Sequence, residues 1–129
     1  MKVLLVDDDE AILRSLARLL RRSHEVETAA RSIDALICIR DNQPDVIICD
    51  SQLSGICGLQ VQAEVSKVDP ESARRFIFMS GNEDRRAATL GVAASVWLQK
   101  PFGRGVLLEA IERVGARHPE SRWPHRRIA

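Results

Sequence analysis

Residues 46–49, Val-Ile-Ile-Cys, are a short run of strand formers that ends on a carboxylate, Asp50. Pro44 precedes the run and a Ser/Gly segment, Ser51 to Gly58, follows it. An apolar run this short, bounded by breakers, reads as a strand buried on both faces. Val61, Val65 and Val68 then recur at helical spacing. Strands buried on both faces belong to parallel sheets covered by helices. In such folds, chemistry collects at the carboxyl ends of the strands. Asp50 occupies such an end, so the rest of the chain can be searched for residues that meet it there.

The same alternation repeats along the chain. Residues 2–6 form an apolar strand, Asp7-Asp8-Asp9-Glu10 follows, and Ile12, Leu16, Leu19 and Leu20 mark a helix whose dipole suits those acids. Glu25-Val26-Glu27-Thr28 alternates like an edge strand. Ser32 offers an N-cap to a second helix with Ile33, Leu36 and Ile37 as its apolar stripe. After the central strand and third helix, residues 69–72 read as a loop. Residues 75–79 form a fourth buried strand ending at Ser80, and Ala87, Ala88 and Leu90 mark a fourth helix. Residues 95–98 form a fifth strand ending in Gln99-Lys100-Pro101, and Leu107, Ala110, Ile111 and Val114 line the last helix. Alternation of this kind predicts an α/β fold, a (βα)5 doubly wound parallel sheet with right-handed crossovers.

A length of 129 residues fits one domain, and 45% apolar with 29% charged residues is ordinary for a globular protein. The net charge of +1 makes no case for nucleic acid, and no helix-turn-helix is recognisable. From Arg117 onward the net charge is +3, so the residues before it carry about −2. We therefore expect a domain over residues 1–116 and a basic tail or linker over 117–129, with Arg122, Arg126 and Arg127 beside Trp123. Residues 1–6 are too short an apolar stretch for a signal peptide or membrane span. Cys38, Cys49 and Cys57 lack metal-type spacing and suit a reducing compartment. A cytoplasmic protein is expected. Neither G-x-G-x-x-G nor a Walker lysine motif is present.

The strand ends bring together Asp7, Asp8, Asp50, Ser80 and Lys100. Three neighbouring carboxylates repel unless a cation sits among them, and an all-oxygen set favours Mg²⁺ over zinc. Asp50 could then act as a nucleophile toward phosphorus, with Lys100 and the ion neutralising the phosphoryl oxygens.

On these residues the chain resembles the response-regulator receiver domains of two-component signalling, CheY-like proteins with the flavodoxin-like strand order 2-1-3-4-5. The motifs are Asp7-Asp8 after strand one, Asp50 after strand three, Ser80 after strand four and Lys100-Pro101 after strand five. The resemblance covers residues 1–116. It implies phosphorylation of Asp50 by a histidine kinase or phosphotransfer protein. It implies Mg²⁺ held by Asp7, Asp8, Asp50 and the Gln52 carbonyl, and a cis peptide between Lys100 and Pro101. It further implies a switch in which Ser80 moves toward the phosphoryl group and Trp97 turns inward. That switch would alter the face of helix four, strand five and helix five, which reads out to a downstream protein, an output domain or a second copy. No turnover of a free substrate is expected, only acceptance and self-hydrolysis of the phosphoryl group. The chain has Leu53-Ser54 where the family often has Met-Pro, Cys57 where an Asp often precedes the loop glycine, and Trp97 where Tyr or Phe is usual.

Each residue also has an ordinary reading. The N-terminal acids could cap the first helix, Ser80 could cap a turn, and Trp97 could be plain packing. A binding module that ignores phosphorylation is the alternative function. An aspartyl-phosphate hydrolase is disfavoured, because no carboxylate lies two residues after Asp50.

Overall fold

The computed structural model describes residues 1–53, 58–80 and 96–117. Five parallel strands form one sheet in the order β2-β1-β3-β4-β5. They are β1 (Lys2–Val6), β2 (Glu25–Ala29), β3 (Val46–Asp50), β4 (Phe76–Ser80) and β5 (Val96–Gln99). Helices α1 (Glu10–Leu20), α2 (Ser32–Asn42), α3 (Gly58–Val68), the single turn α4 (Pro70–Ala73) and α5 (Arg104–Arg117) complete the described elements. The helix expected around Ala87–Leu90 lies outside the described residues.

The pleat sorts each strand between two cores. Val3, Leu5, Val46, Ile48, Ile77, Met79 and Leu98 face α1 and α5, which contribute Leu13, Ala17, Leu20, Leu107 and Ile111. Leu4, Val6, Ile47, Cys49, Phe76 and Phe78 face α2 and α3, which contribute Ala35, Ile39, Val61 and Val65. Every residue of β3 and β4 is buried, which is why those segments read as unbroken apolar runs. β2 is an edge strand and keeps its polar side chains exposed.

Several local readings need correction. In α1 the buried positions are Leu13, Ala17 and Leu20, while Ile12, Leu16 and Leu19 only flank the core. In α2 the core takes Ala35 and Ile39, leaving Ile33 53% and Ile37 42% exposed. In both helices an alanine faces the sheet, and its small side chain lets the helix sit close. Hydropathy alone ranks isoleucine above alanine and so rotates the predicted stripe. Val68 in α3 is likewise exposed. Ser32 does not cap α2, because the N-cap position falls on Arg31 and no side chain bonds the free amides. Residues 70–73 form a helical turn instead of a loop, started by Pro70, whose fixed φ suits a first helical position.

Candidate functional site

β1 and β3 are neighbours, with β2 outside one and β4 outside the other, so the winding reverses between them. A crevice opens at the carboxyl ends of strands at such a reversal. Asp7 and Asp8 directly follow β1, Asp50 ends β3, Ser80 ends β4, and Lys100 follows β5.

Asp7 continues the ladder, its amide donating to the Ala29 carbonyl at 3.2 Å, and its side chain is 1% exposed. Oδ1 accepts from the Asp9 amide at 2.9 Å. Oδ2 is buried with no hydrogen-bond donor and faces the Lys100 ammonium at 3.6 Å. Asp8 is exposed. Asp9 turns away from the site and caps α1, accepting from the Ala11 and Ile12 amides at 2.9 and 3.3 Å. The helix-capping reading thus applies to Asp9.

Asp50 is held from two sides. Oδ1 accepts from the Gln52 amide at 3.0 Å, and Oδ2 accepts from Lys100 Nζ at 2.9 Å. The Lys100 amide donates to the Ser80 carbonyl at 2.7 Å, tying the ends of β4 and β5 together. Ser80 is buried, and the Lys100–Pro101 peptide is cis. Gln52 is exposed beside the cluster. Trp97 is half-buried, with its ring 4.9 Å from that of Phe78 between centroids at 33°, against the α2–α3 core.

Asp7, Asp8 and Asp50 each bring a carboxylate oxygen within 4.8 Å of the others. Burial pushes the Asp7 carboxyl up to about 6; the Asp9 amide and Lys100 oppose the rise, and the Asp50 and Asp8 charges add to it. Burial also works against the charged form of Lys100. The hydrogen bond and charge of Asp50, with the charge of Asp7, more than offset this and hold its pKa above the ordinary lysine value. When all are ionised, three carboxylates against one ammonium leave a net charge of −2. A buried carboxylate oxygen without a donor and two surplus negative charges fit a hard divalent cation. Among the described residues no helix is long and apolar enough to cross a membrane.

Sequence reasoning passed over two contributors to this geometry. The fully buried Cys49 donates its thiol to the Asp50 carbonyl at 3.3 Å. Gly58, the first residue of α3, donates its amide to the Ser51 carbonyl at 2.8 Å. A glycine opening a helix was the available signal, because glycine weakens helices and survives where backbone must approach closely.

The fold and the site define a doubly wound domain with an acidic pocket and a lysine at its carboxyl edge. The chain belongs to the response regulator receiver domain family, which matches residues 3–112. It is 36% identical over 116 residues to the transcriptional regulatory protein PrrA of Mycobacterium tuberculosis, covering 89% of this chain and 48% of that protein. It is 30% identical over 109 residues to the response regulator MprA of Mycobacterium avium, covering 84% and 48%. The chain thus spans about half the length of these curated relatives. A crystal structure of a response regulator receiver domain protein from Clostridium thermocellum superposes with a TM-score of 0.84 at 30% identity, covering 92% of this chain and 96% of that one. A CheY-like receiver domain protein from Methanospirillum hungatei gives 0.79 at 27% identity, covering 93% and 98%.

Proposed function

We propose that this receiver domain accepts a phosphoryl group on Asp50 from the phosphohistidine of a histidine kinase or phosphotransfer protein. The observation that carries the reading is the 2.9 Å contact of Lys100 Nζ with an Asp50 carboxylate that shares one cluster with Asp7 and Asp8. In the transfer, an Asp50 oxygen bonds to phosphorus, and the bond from phosphorus to the imidazole nitrogen breaks with its electron pair staying on the nitrogen. Lys100 is close enough to follow the charge onto the phosphoryl oxygens, and the Ser80 hydroxyl supplies a further donor. Asp7, Asp8 and Asp50, with the Gln52 carbonyl, would hold Mg²⁺, which supplies charge neutralisation on those oxygens. Attack of water on the phosphorus of the aspartyl phosphate breaks the bond to the Asp50 oxygen, releases inorganic phosphate and returns the domain to its starting state.

Residues 1–116 form the receiver in this reading, and the basic 117–129 segment is a linker or tail. Phosphorylation shifts the population of the face that the resemblance assigns to helix four, strand five and helix five, which includes β5 and α5. That face engages a downstream protein, an output domain or a second copy of the chain, and the protein acts in the cytoplasm. The test is intact-mass analysis after incubation with acetyl phosphate and Mg²⁺. Wild type should gain one phosphoryl group and Asp50→Asn none. Equal labelling of the two would remove Asp50 from the reaction.

A second reading draws on Trp97. Its packing against Phe78 favours a surface already set in the unphosphorylated chain. Trp fluorescence on adding Mg²⁺ and beryllofluoride, with Trp123→Phe to remove the other indole, separates the two. A saturable change that needs Asp50 supports the phosphorylation switch. Silence, with partner binding unchanged in Asp50→Asn, supports the phosphorylation-independent module.

A further inference from the structure

We propose that Gly58 is a positioning residue for Asp50, required for the space it leaves and not for its backbone freedom. This rests on the reading of Asp50 as phosphoacceptor. The Gly58 φ lies outside the left-handed region, so any L-residue could adopt its conformation. What excludes a side chain is the end of β3. A methyl group on Gly58 would overlap the Asp50 carbonyl oxygen and would lie 3.1 Å from both Cys49 Sγ and Ser51 Cα. Two of these three neighbours are backbone atoms of the phosphoacceptor turn and cannot rotate away.

Both sides of this contact are anchored. On the strand side, the Ser51 amide donates to the Met79 carbonyl at 2.9 Å, and Cys49 is fully buried. On the helix side, Val61 and Val65 fix the first turns of α3 in the core. The Gly58 amide bonds the Ser51 carbonyl at 2.8 Å, so the two segments are already joined at their closest separation. Relief of the overlap must therefore move the Asp50 backbone. The carboxylate moves with it, changing its placement relative to Lys100, Asp7 and Asp8. Misplacement of a reacting group by about 1 Å can slow a reaction on the order of a hundredfold.

The experiment compares wild type, Gly58→Ala and Gly115→Ala. The last is a matched control, because a methyl group on Gly115 meets only the flexible end of the Met1 side chain, far from the site. Circular dichroism and urea unfolding supply the folded fraction of each. Two quantities are then measured per folded molecule: the rate of phosphorylation by acetyl phosphate, and Mn²⁺ affinity by electron paramagnetic resonance. Gly58→Ala should be phosphorylated at least about tenfold more slowly and bind Mn²⁺ several-fold more weakly, while Gly115→Ala matches wild type in both. A merely structural glycine would lower the folded fraction and leave both per-molecule values intact, which would overturn the proposal. A Gly58→Ala chain that does not fold at all would overturn it too, making Gly58 a requirement of the fold. If wild type binds Mn²⁺ but takes no phosphoryl group, the functional reading fails. The Mn²⁺ comparison then still decides the placement of Asp50.

Discussion

The two edges of the sheet treat buried charge in opposite ways. At the amino edge, Arg75 precedes β4 with its side chain 2% exposed. Its guanidinium donates to the Asp45 carbonyl at 3.3 Å and to Glu71 at 3.5 Å, while the Asp45 carboxylate takes the Lys2 amide at 2.8 Å. Most donors and acceptors are paired there, Arg75 Nε excepted, and the charges join segments. At the carboxyl edge, three carboxylates crowd one lysine, one carboxylate oxygen has no donor, and Lys100 keeps a third of its side chain exposed. That edge holds unbalanced charge within reach of solvent. Removing one partner of a paired buried charge destabilises the fold, whereas a surplus of like charge lowers stability and is disposed to take up a cation or a new charged group.

The largest expected break in this comparison is chemical. Asp50→Asn should abolish phosphorylation in the intact-mass assay while the chain stays folded, since the change removes one of three repelling charges. Substantial unfolding of that variant would place Asp50 among the structural charges instead. Next comes Arg75→Ala at the opposite edge. Loss of a buried, bonded guanidinium should cost about 3 kcal/mol in urea unfolding, with the phosphorylation rate per folded molecule unchanged. A matching loss of rate would mean that the two edges are coupled.

The Asp7 titration tests the unbalanced edge by itself. Its folded value, about 6, lies above the ordinary 3.8. A raised carboxyl favours the fold below its unfolded value, and that contribution is lost as pH rises through the folded value. In EDTA, Asp7→Asn should therefore gain stability relative to wild type as pH rises from 3.8 through about 6, by on the order of 3 kcal/mol at pH 7. Mg²⁺ should shrink the gap by stabilising wild type. A pH-independent difference between the two proteins would contradict the burial of an ionisable Asp7. The smallest effect is at Asp9, which shares the acidic run but caps α1. Asp9→Ala should cost about 1 kcal/mol, seen as a fall of roughly 4 °C in Tm, and leave Mn²⁺ affinity intact.

The legible and the illegible parts of the chain divide along a physical line. Strand ends were readable because a buried strand is a local pattern: an unbroken apolar run stops at its first polar residue. Asp7, Asp50 and Ser80 follow from that rule, and so does their common edge once the sheet is parallel. Helix faces were less readable. Ala35 and Ala17 are buried while Ile33 and Ile37 are exposed, because distance to the sheet, set by side-chain size, outweighs hydropathy. The sequence places Arg75 in the fourth buried strand, and only the turn at Glu71 and the Asp45 carbonyl show what holds its guanidinium just before that strand.

The alternation of strands and main helices and the places of Asp7, Asp8, Asp50, Ser80 and Lys100 at strand ends were determined by the sequence by itself, because hydrophobic period and run length are properties of neighbouring residues. Which carboxylates meet was decided only by the tertiary structure. Asp7 and Asp50 are brought together because β1 pairs with β3, and Lys100 reaches Asp50 because β5 joins through β4. The raised Asp7 value, the bond between Lys100 and Asp50, and the demand for a glycine at position 58 all depend on distances between segments far apart in the chain. No local pattern encodes those distances, because they arise when the two cores pack.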